Sequence, residues 1–250
     1  MNLRKFVFLL SVGFLHSVTA QVEPEADSNE FERNAPTEPA NARATFEMRP
    51  GFELELAASE PLVVDPIDIE FDESGRLFAV EMRGYSEHRE EALGRIKLLV
   101  DDNDDGIFDR ATVYAENLKW PTSVCCYDGG IFVAASPDIY YFKDTDGDGV
   151  SDIKEIVFTG FGITASRLNM QALVNSLTWG PDNRIWGATA RNGGLVRRPN
   201  QSKNDAINLQ GSDFSFDPKT RELRAENGTA QFGMSFDSLG RRFVSSNSDH

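Results

Sequence analysis

The sequence is poor in basic side chains, histidine and cysteine, and the shortage of basic charge excludes a class of partner. Twenty-five Lys and Arg face 40 Asp and Glu, which gives a net charge of −15 at pH 7. Because nucleic-acid and anionic-lipid phosphates would repel such a chain, we exclude both as partners. A hydrophobic fraction of 40% excludes a disordered chain. Eighteen Phe and 20 Gly favour β-strands joined by tight turns.

Several catalytic motifs are also missing. The sequence contains no Cys-x-x-Cys-His haem motif, no Gly-x-Ser-x-Gly nucleophile motif and no phosphate-binding glycine loop. The two cysteines, Cys125 and Cys126, are adjacent, and they either form a strained vicinal disulfide or stay as buried thiols. Beyond residue 20 the histidines are His88 and His250, so an imidazole base would have to be one of these two.

The one long apolar run lies at the N-terminus. Arg4 and Lys5 precede the run from Phe6 to Val18, and a small-residue cleavage site ends at Ala20. Residues 1–20 therefore predict a secretory signal peptide, and the mature chain is expected to be exported, periplasmic or extracellular, without a transmembrane span. Residues 21–45 predict a disordered linker, because they are rich in Glu, Pro, Asn and Ala and have little apolar surface to offset the entropy of ordering.

A repeat of strand, tight turn and strand begins after residue 46. The residues that follow the turns are Leu77, Ile131, Ile185 and Arg242, at spacings of 54, 54 and 57 residues. The first two repeats divide into four strands each, which is typical of the blades of a β-propeller. The predicted strands are Pro66–Phe71, Leu77–Met82, Arg95–Val100 and Ala111–Tyr114 in the first repeat, and Ser123–Tyr127, Ile131–Ala135, Ile139–Phe142 and Lys154–Phe158 in the second. A β-sandwich would also show alternation, but it would not show four-stranded units at a constant spacing.

The repeats predict an all-β fold over residues 46–250, a propeller of four-stranded blades with about four blades present. The fourth repeat stops after its second strand, and a propeller has to close or expose unpaired edges. We therefore expect an incomplete ring, the N-terminal part of a larger propeller. The alternative is a four-bladed ring with a defective last blade.

The acidic charge is concentrated in two turns that resemble calcium loops. The second of them matches the full D-x-D-x-D-G-x₅-E pattern, in which alternate residues place oxygens around one Ca²⁺. Its predicted ligands are Asp144, Asp146, Asp148, Val150 through its carbonyl, Asp152 and Glu155. A weaker copy in the first repeat offers Asp101, Asn103, Asp105 and Asp109. The alternative for both loops is a solvated acidic turn without an ion.

A second group of candidate residues follows the second strand of each repeat, where the loops of a propeller converge on one mouth of the central channel. Arg83 and Arg191 occupy equivalent positions, and so do Tyr85 and His250. Together with Asn192 and Asn247 they predict a site for an anionic or polar ligand. The alternatives are ordinary loop polar groups and, for the arginines, surface ion pairs.

Several segments resemble an exported bacterial family of propellers often described as membrane-bound dehydrogenases. They are Pro50-Gly-Phe-Glu-Leu54, Glu81-Met-Arg-Gly-Tyr85, Lys119-Trp-Pro-Thr-Ser-Val124, Asp144-Thr-Asp-Gly-Asp-Gly149 and Gly180-Pro-Asp-Asn183. That family is similar to the soluble glucose/sorbosone dehydrogenases, and its full-length members often carry a C-terminal c-type haem motif. The resemblance implies a six-bladed, calcium-bearing propeller that oxidises a sugar or alcohol with pyrroloquinoline quinone.

The same resemblance implies catalytic roles for His250, Arg83 and Arg191, and cofactor contacts for Tyr85, Asn192 and Asn247. These roles follow position in the repeat and not a matched motif. Two hypotheses therefore stand. The first is a quinoprotein-like oxidoreductase module with a haem domain as its electron partner. The second is a non-catalytic propeller that binds carbohydrate or a partner protein. A calcium-dependent lactonase or esterase is a more distant third.

Overall fold

A computed structural model describes residues 35–162 and 168–247 of the chain. The predicted signal peptide, the first part of the predicted linker and His250 lie outside the described residues. The described part of the linker contains an α-helix, Pro39–Ala42, and a 3₁₀ turn, Arg43–Thr45, neither with a buried residue. Among the described residues, no helix has the length and apolar character needed to cross a bilayer.

The first antiparallel sheet contains four strands in chain order: β1 Pro66–Phe71, β2 Leu77–Glu81, β3 Gly94–Val100 and β4 Arg110–Leu118. Its first hairpin turns at Asp72, whose Oδ1 accepts hydrogen bonds from the backbone amides of Ser74 and Arg76 at 2.9 Å each. Gly75 supplies the positive φ, +77°, that this turn requires. An aspartate-capped turn recurs at Asp237 in the fourth unit, so the repeated sequence pattern corresponds to repeated turn chemistry.

The second sheet has the four predicted strands and two more. Its strands β5 Ser123–Tyr127, β6 Gly130–Ala135, β7 Asp138–Lys143 and β8 Ile153–Phe161 run in chain order. An inserted hairpin, β11 Gly194–Arg197 and β12 Ile207–Asn208, pairs with the outer edge of β8. Gly160 and Gly194 face each other at this junction, and a Cβ on either would contact the opposite backbone. The close approach of β8 and β11 therefore requires glycine on both strands.

The third and fourth units complete the described fold. The third sheet contains β9 Asn175–Trp179, β10 Ile185–Ala188, β13 Asp213–Phe216 and β14 Leu223–Glu226, and the fourth is the pair β15 Phe232–Phe236 and β16 Arg242–Ser245. The first strands of the four units contact one another in succession, β1 with β5, β5 with β9 and β9 with β15. The units are therefore blades around a common axis, with these four strands innermost.

The core lies between the faces of successive blades. Phe132 of the second blade packs against Phe216 of the third with ring centroids 5.0 Å apart. On the face of the first blade that packs against the second, Phe78 contacts Tyr114 edge-on at 4.9 Å, in a buried cluster that also contains Val124 and Ile131 of the second blade. Among the residues that the structure describes, no blade packs against the other face of β1, where Ile69 is 52% exposed, and the ring is not closed. The prediction of an all-β propeller with an incomplete ring is confirmed.

Candidate functional site

A cavity of about 560 Å³ lies at one mouth of the channel between the innermost strands. It is surrounded by the loops that follow second strands and by the segments that lead into first strands. Seven of its lining residues are polar: Asp68, Thr122, Gln171, Asn175, Ser176, Gln231 and Asn247. The others are apolar, aromatic or glycine: Ile67, Met82, Tyr85, Met170, Leu173, Phe232 and Gly233. This volume falls within the range typical of small-molecule sites.

The lining residues on the innermost strands occupy repeat-equivalent positions. Asp68, Thr122, Ser176 and Gly233 are separated by the same 54, 54 and 57 residues that separate the turns. Each lies at or beside the start of the first strand of its blade. Since those strands begin at the mouth, the repeat brings four sequence-distant residues to one rim. The repeat spacing is the sequence signal that identifies these residues, which lie where first strands begin, whereas the predicted ligand contacts lie where second strands end.

Asp68 is the one charged residue in the described lining of the cavity, and its carboxylate accepts three hydrogen bonds from the protein. The hydroxyl of Ser123 donates to Oδ2 at 2.6 Å, and the amide of Val124 donates to the same oxygen at 3.0 Å. The amide of Ile69 donates to Oδ1 at 3.1 Å. Burial raises the pKa of Asp68, and these hydrogen bonds lower it in part. Ser123 also accepts a hydrogen bond from the amide of Leu177 at 2.9 Å, which connects β1, β5 and β9.

Glu70 lies two residues further along β1, on the same face as Asp68, but it does not line the cavity. Burial, and then the charge of Asp68, raise its pKa from 4.5 to about 6. Cys125 and Cys126 lie on the neighbouring strand as free thiols, the first fully buried. Burial raises the pKa of both, that of Cys126 to about 12, so neither is a ready nucleophile or metal ligand.

The structure brings two of the residues predicted at the ends of second strands to the cavity and leaves three elsewhere. Tyr85 and Asn247 line it, whereas the partly buried Arg83 and the exposed Arg191 do not. Asn192 is buried, and its side chain binds the chain before β9. Its Nδ2 donates to the carbonyls of residues 169 and 172 at 2.8 and 2.6 Å, and its Oδ1 accepts from the amide of residue 169 at 3.0 Å. Asn192 therefore positions the segment that carries Met170 and Gln171.

The described lining does not fit pyrroloquinoline quinone. That cofactor carries three carboxylates, which proteins bind with arginine, lysine or a metal ion. Among the described residues, the cavity is lined by no arginine or lysine, and Asp68 adds a negative charge. Arg83 and Arg191, which the resemblance associates with such a cofactor, stand outside the lining.

The loop between β7 and β8, at the opposite end of the blades, brings three carboxylates together. One oxygen from each of Asp144, Asp146 and Asp152 lies within 4.8 Å of the others. Hydrogen bonds from the amide and hydroxyl of Thr145 hold Asp152 and lower its pKa. The loop docks on the first blade, because the amide of Asp144 donates to the Tyr114 hydroxyl at 3.0 Å.

Two other predicted ligands of this loop lie outside the three-carboxylate group. Asp148 accepts a hydrogen bond from the amide of Val150 at 2.8 Å, and Glu155 is exposed on β8 opposite Tyr141.

The weaker loop between β3 and β4 forms Asx turns. Asp101 accepts a hydrogen bond from Gly106, Asn103 from the amide of Asp105, and Asp109 from the amide of residue 102. Within the described ranges, its carboxylates do not form a comparable group of three.

Comparisons with known proteins place the chain in one family. Residues 38–250 match the domain of unknown function DUF7133. No curated protein matches the chain. Among solved structures, a luciferin-regenerating enzyme is similar over 72% of this chain at 9% identity with a TM-score of 0.44. A catalytically inactive virginiamycin B lyase from Staphylococcus aureus, solved with quinupristin, is similar over 74% of it at 12% identity with a TM-score of 0.39. The chain spans 51% and 64% of the lengths of these two proteins.

The radial blades and the cavity at their mouth define a β-propeller with a candidate small-molecule site. Within that class, the chain belongs to the DUF7133 family, whose match covers all four described blades.

Proposed function

We propose that the cavity at the mouth of the propeller binds a small, uncharged, polyhydroxylated compound, a sugar or a polyol. One observation carries this proposal: a cavity of about 560 Å³ whose described lining combines amides, hydroxyls and exposed aromatic rings with a single carboxylate. This volume accommodates a mono- or disaccharide.

Several polar groups of the lining are available to such a ligand. The hydroxyl of Tyr85 and the side-chain amide of Gln171 form no hydrogen bond with other described residues, and both residues are exposed. Asn175, in contrast, uses both amide hydrogens on the carbonyls of Leu173 and Gln231, at 2.8 and 2.9 Å. We infer that Asn175 shapes the cavity and that Tyr85 and Gln171 contact the ligand.

The electrostatics favour an uncharged ligand over an anion. Asp68 lines the cavity, the net charge of the chain is −15, and the described lining offers no cationic side chain for an anion to pair with. Tyr85 and Phe232 are 48% and 45% exposed, and such rings present an apolar face to the C–H groups of a sugar ring.

Fluorescence titration tests this proposal directly. Tyr85 packs against Trp120 with ring centroids 5.3 Å apart, so a ligand on Tyr85 should change the Trp120 emission. D-glucose, D-galactose, D-mannose and myo-inositol would be titrated against wild type, Tyr85→Ala and Phe243→Ala. Phe243 is also an exposed aromatic residue, but it lies outside the cavity. Saturable binding that Tyr85→Ala weakens and Phe243→Ala does not is expected, and failure of every compound to bind would refute the proposal.

The resemblance to sugar dehydrogenases predicts the same class of compound as a substrate. Oxidation would additionally need an electron acceptor, and the described lining does not supply cations for pyrroloquinoline quinone. A dye-reduction assay with that quinone added to the full-length protein distinguishes an oxidoreductase from a binding module. On the described residues, the binding module is the function we propose, in an exported protein.

We also propose that the loop between β7 and β8 binds Ca²⁺, because Asp144, Asp146 and Asp152 already place three hard oxygens within 4.8 Å. Since the loop contacts β4 of the first blade, the ion would stabilise the joint between two blades. At 100 times its Kd, Ca²⁺ would raise the free energy of unfolding by about 2.7 kcal/mol. Calorimetry should detect binding to wild type and to Asp128→Asn, an exposed carboxylate of another hairpin, and not to Asp146→Asn. Equal binding by all three proteins would refute this site.

A further inference from the structure

We propose that Asp68 selects the ligand of the cavity by accepting hydrogen bonds from its hydroxyl groups. This inference rests on the proposed function and specifies what the cavity recognises: a ligand with a hydroxyl, or a pair of adjacent hydroxyls, at the position that faces β1. Asp68 is the specificity-determining residue, while Ser123 and Val124 hold its carboxylate in place.

The hydrogen bonds already made to Asp68 leave it able to accept more. An ionised carboxylate has about four acceptor positions. Three protein donors occupy three of them, two on Oδ2 and one on Oδ1. The remaining capacity belongs to the more lightly bonded Oδ1. Because Asp68 lines the cavity, a bound molecule is the group that can satisfy this oxygen once water has left.

The rigidity of this arrangement argues for recognition. Ser123 is fully buried and links Asp68 on β1 to the amide of Leu177 on β9, at 2.6 and 2.9 Å. The carboxylate is therefore fixed by two neighbouring blades before any ligand arrives. A fixed acceptor discriminates sharply, since a ligand that lacks the matching hydroxyl leaves a desolvated carboxylate oxygen without a partner. From the usual strength of a hydrogen bond to a charged group, removing that hydroxyl should weaken binding about 10- to 100-fold.

A matched pair of substitutions on one strand tests the inference. Asp68→Asn removes the negative charge and replaces one hydrogen-bond-accepting oxygen with an NH₂ group. Glu70→Gln makes the same chemical change two residues away, outside the cavity. Dissociation constants would be measured by calorimetry for the sugar that wild type binds most tightly and for its series of monodeoxy analogues. Circular dichroism would confirm that both variants are folded.

The expected result is a loss of at least about 10-fold for Asp68→Asn and less than about 2-fold for Glu70→Gln. In wild type, one deoxy analogue should show a penalty of about 10-fold or more, and Asp68→Asn should largely abolish that penalty. If Asp68 acts in folding alone, Asp68→Asn should weaken the binding of all analogues equally and leave the penalty for the missing hydroxyl unchanged. That result would overturn the inference.

Two further outcomes separate this inference from the function on which it rests. If wild type binds no compound in the panel, the proposed function fails, and this inference fails with it. If wild type binds a sugar but Asp68→Asn binds it equally well, the proposed function stands and the role of Asp68 is refuted. Should Asp68→Asn fail to fold, the deoxy series on wild type decides, because a series without any penalty of about 10-fold also overturns the inference.

Discussion

Replacing Glu70 with glutamine should stabilise the protein at neutral pH and not under mildly acidic conditions. Burial and the neighbouring Asp68 raise the pKa of Glu70 from 4.5 to about 6, so the folded state binds its proton more tightly than the unfolded state. The stability gained from that proton is complete below pH 4.5 and is lost as the pH rises through 6. A change from 4.5 to about 6 corresponds to at most about 2 kcal/mol, and partial screening by water reduces this to about 1 kcal/mol.

The measurement is urea unfolding of wild type and Glu70→Gln at several values from pH 4.5 to 8. The free energy of unfolding of the variant should exceed that of wild type by about 1 kcal/mol at pH 7.5, and the difference should disappear near pH 4.5. Asp128→Asn removes one negative charge from the exposed turn between β5 and β6, and it serves as the control for that loss of charge. A constant difference between wild type and Glu70→Gln across the range would refute the placement of Glu70 in a desolvated, like-charged environment.

Three further substitutions test the packing that positions the cavity. Asn192→Ala should lower the free energy of unfolding by about 3 kcal/mol, because it leaves three partners of a buried amide unpaired, and urea unfolding measures the loss. Phe132→Ala should cost about 3 to 5 kcal/mol in the same assay, and Phe71→Ala, at a side chain that is 56% exposed, less than about 1 kcal/mol. Gly160→Ala should lower the Tm clearly more than Gly147→Ala. Both glycines have a positive φ, but a Cβ at Gly160 would also clash with the backbone of β11, whereas a Cβ at Gly147 would face open space. Equal losses of stability for Phe132→Ala and Phe71→Ala, or for Gly160→Ala and Gly147→Ala, would contradict the packing described above.

Much of the fold could be predicted from the sequence because the repeat and the strand alternation reinforce each other. Strands β1 and β5 have the predicted bounds, and the other strands of the first two blades differ from the prediction mainly at their ends. The inserted hairpin of β11 and β12 was not foreseen as part of the second blade. Its pairing with β8 depends on two glycines 34 residues apart in sequence, Gly160 and Gly194, and local periodicity contains no information about such a contact.

The candidate site was predictable in its location and less so in its residues. Topology places the ends of second strands at the mouth, and Tyr85 and Asn247 do line the cavity. Position in a repeat does not fix the direction of a side chain, however, and Asn192 binds the backbone instead. Asp68 lies in a strand that alternates apolar and acidic residues, a pattern that by itself indicates a solvated face. Its burial depends on the neighbouring blade.

The carboxylates of the β7–β8 loop illustrate the same limit. Their spacing predicted a shared ion, and three of them converge. Asp148 and Glu155 lie outside that group, and Glu155 is on the exposed side of β8. The spacing of acidic residues in the sequence indicates which carboxylates could share an ion. The backbone conformation of the loop and of β8, which follows it, determines which of them lie close together.

Hydrogen exchange with and without a saturating sugar tests the central claim most directly, because the claim is that separate segments form one binding mouth. The account predicts that exchange slows together around residues 67–69, 122–124, 170–176 and 231–233, while the loops at residues 101–109 and 144–152, at the other end of the blades, are unaffected. Slowing confined to those two loops, or absent from the four segments while the sugar is bound, would contradict it.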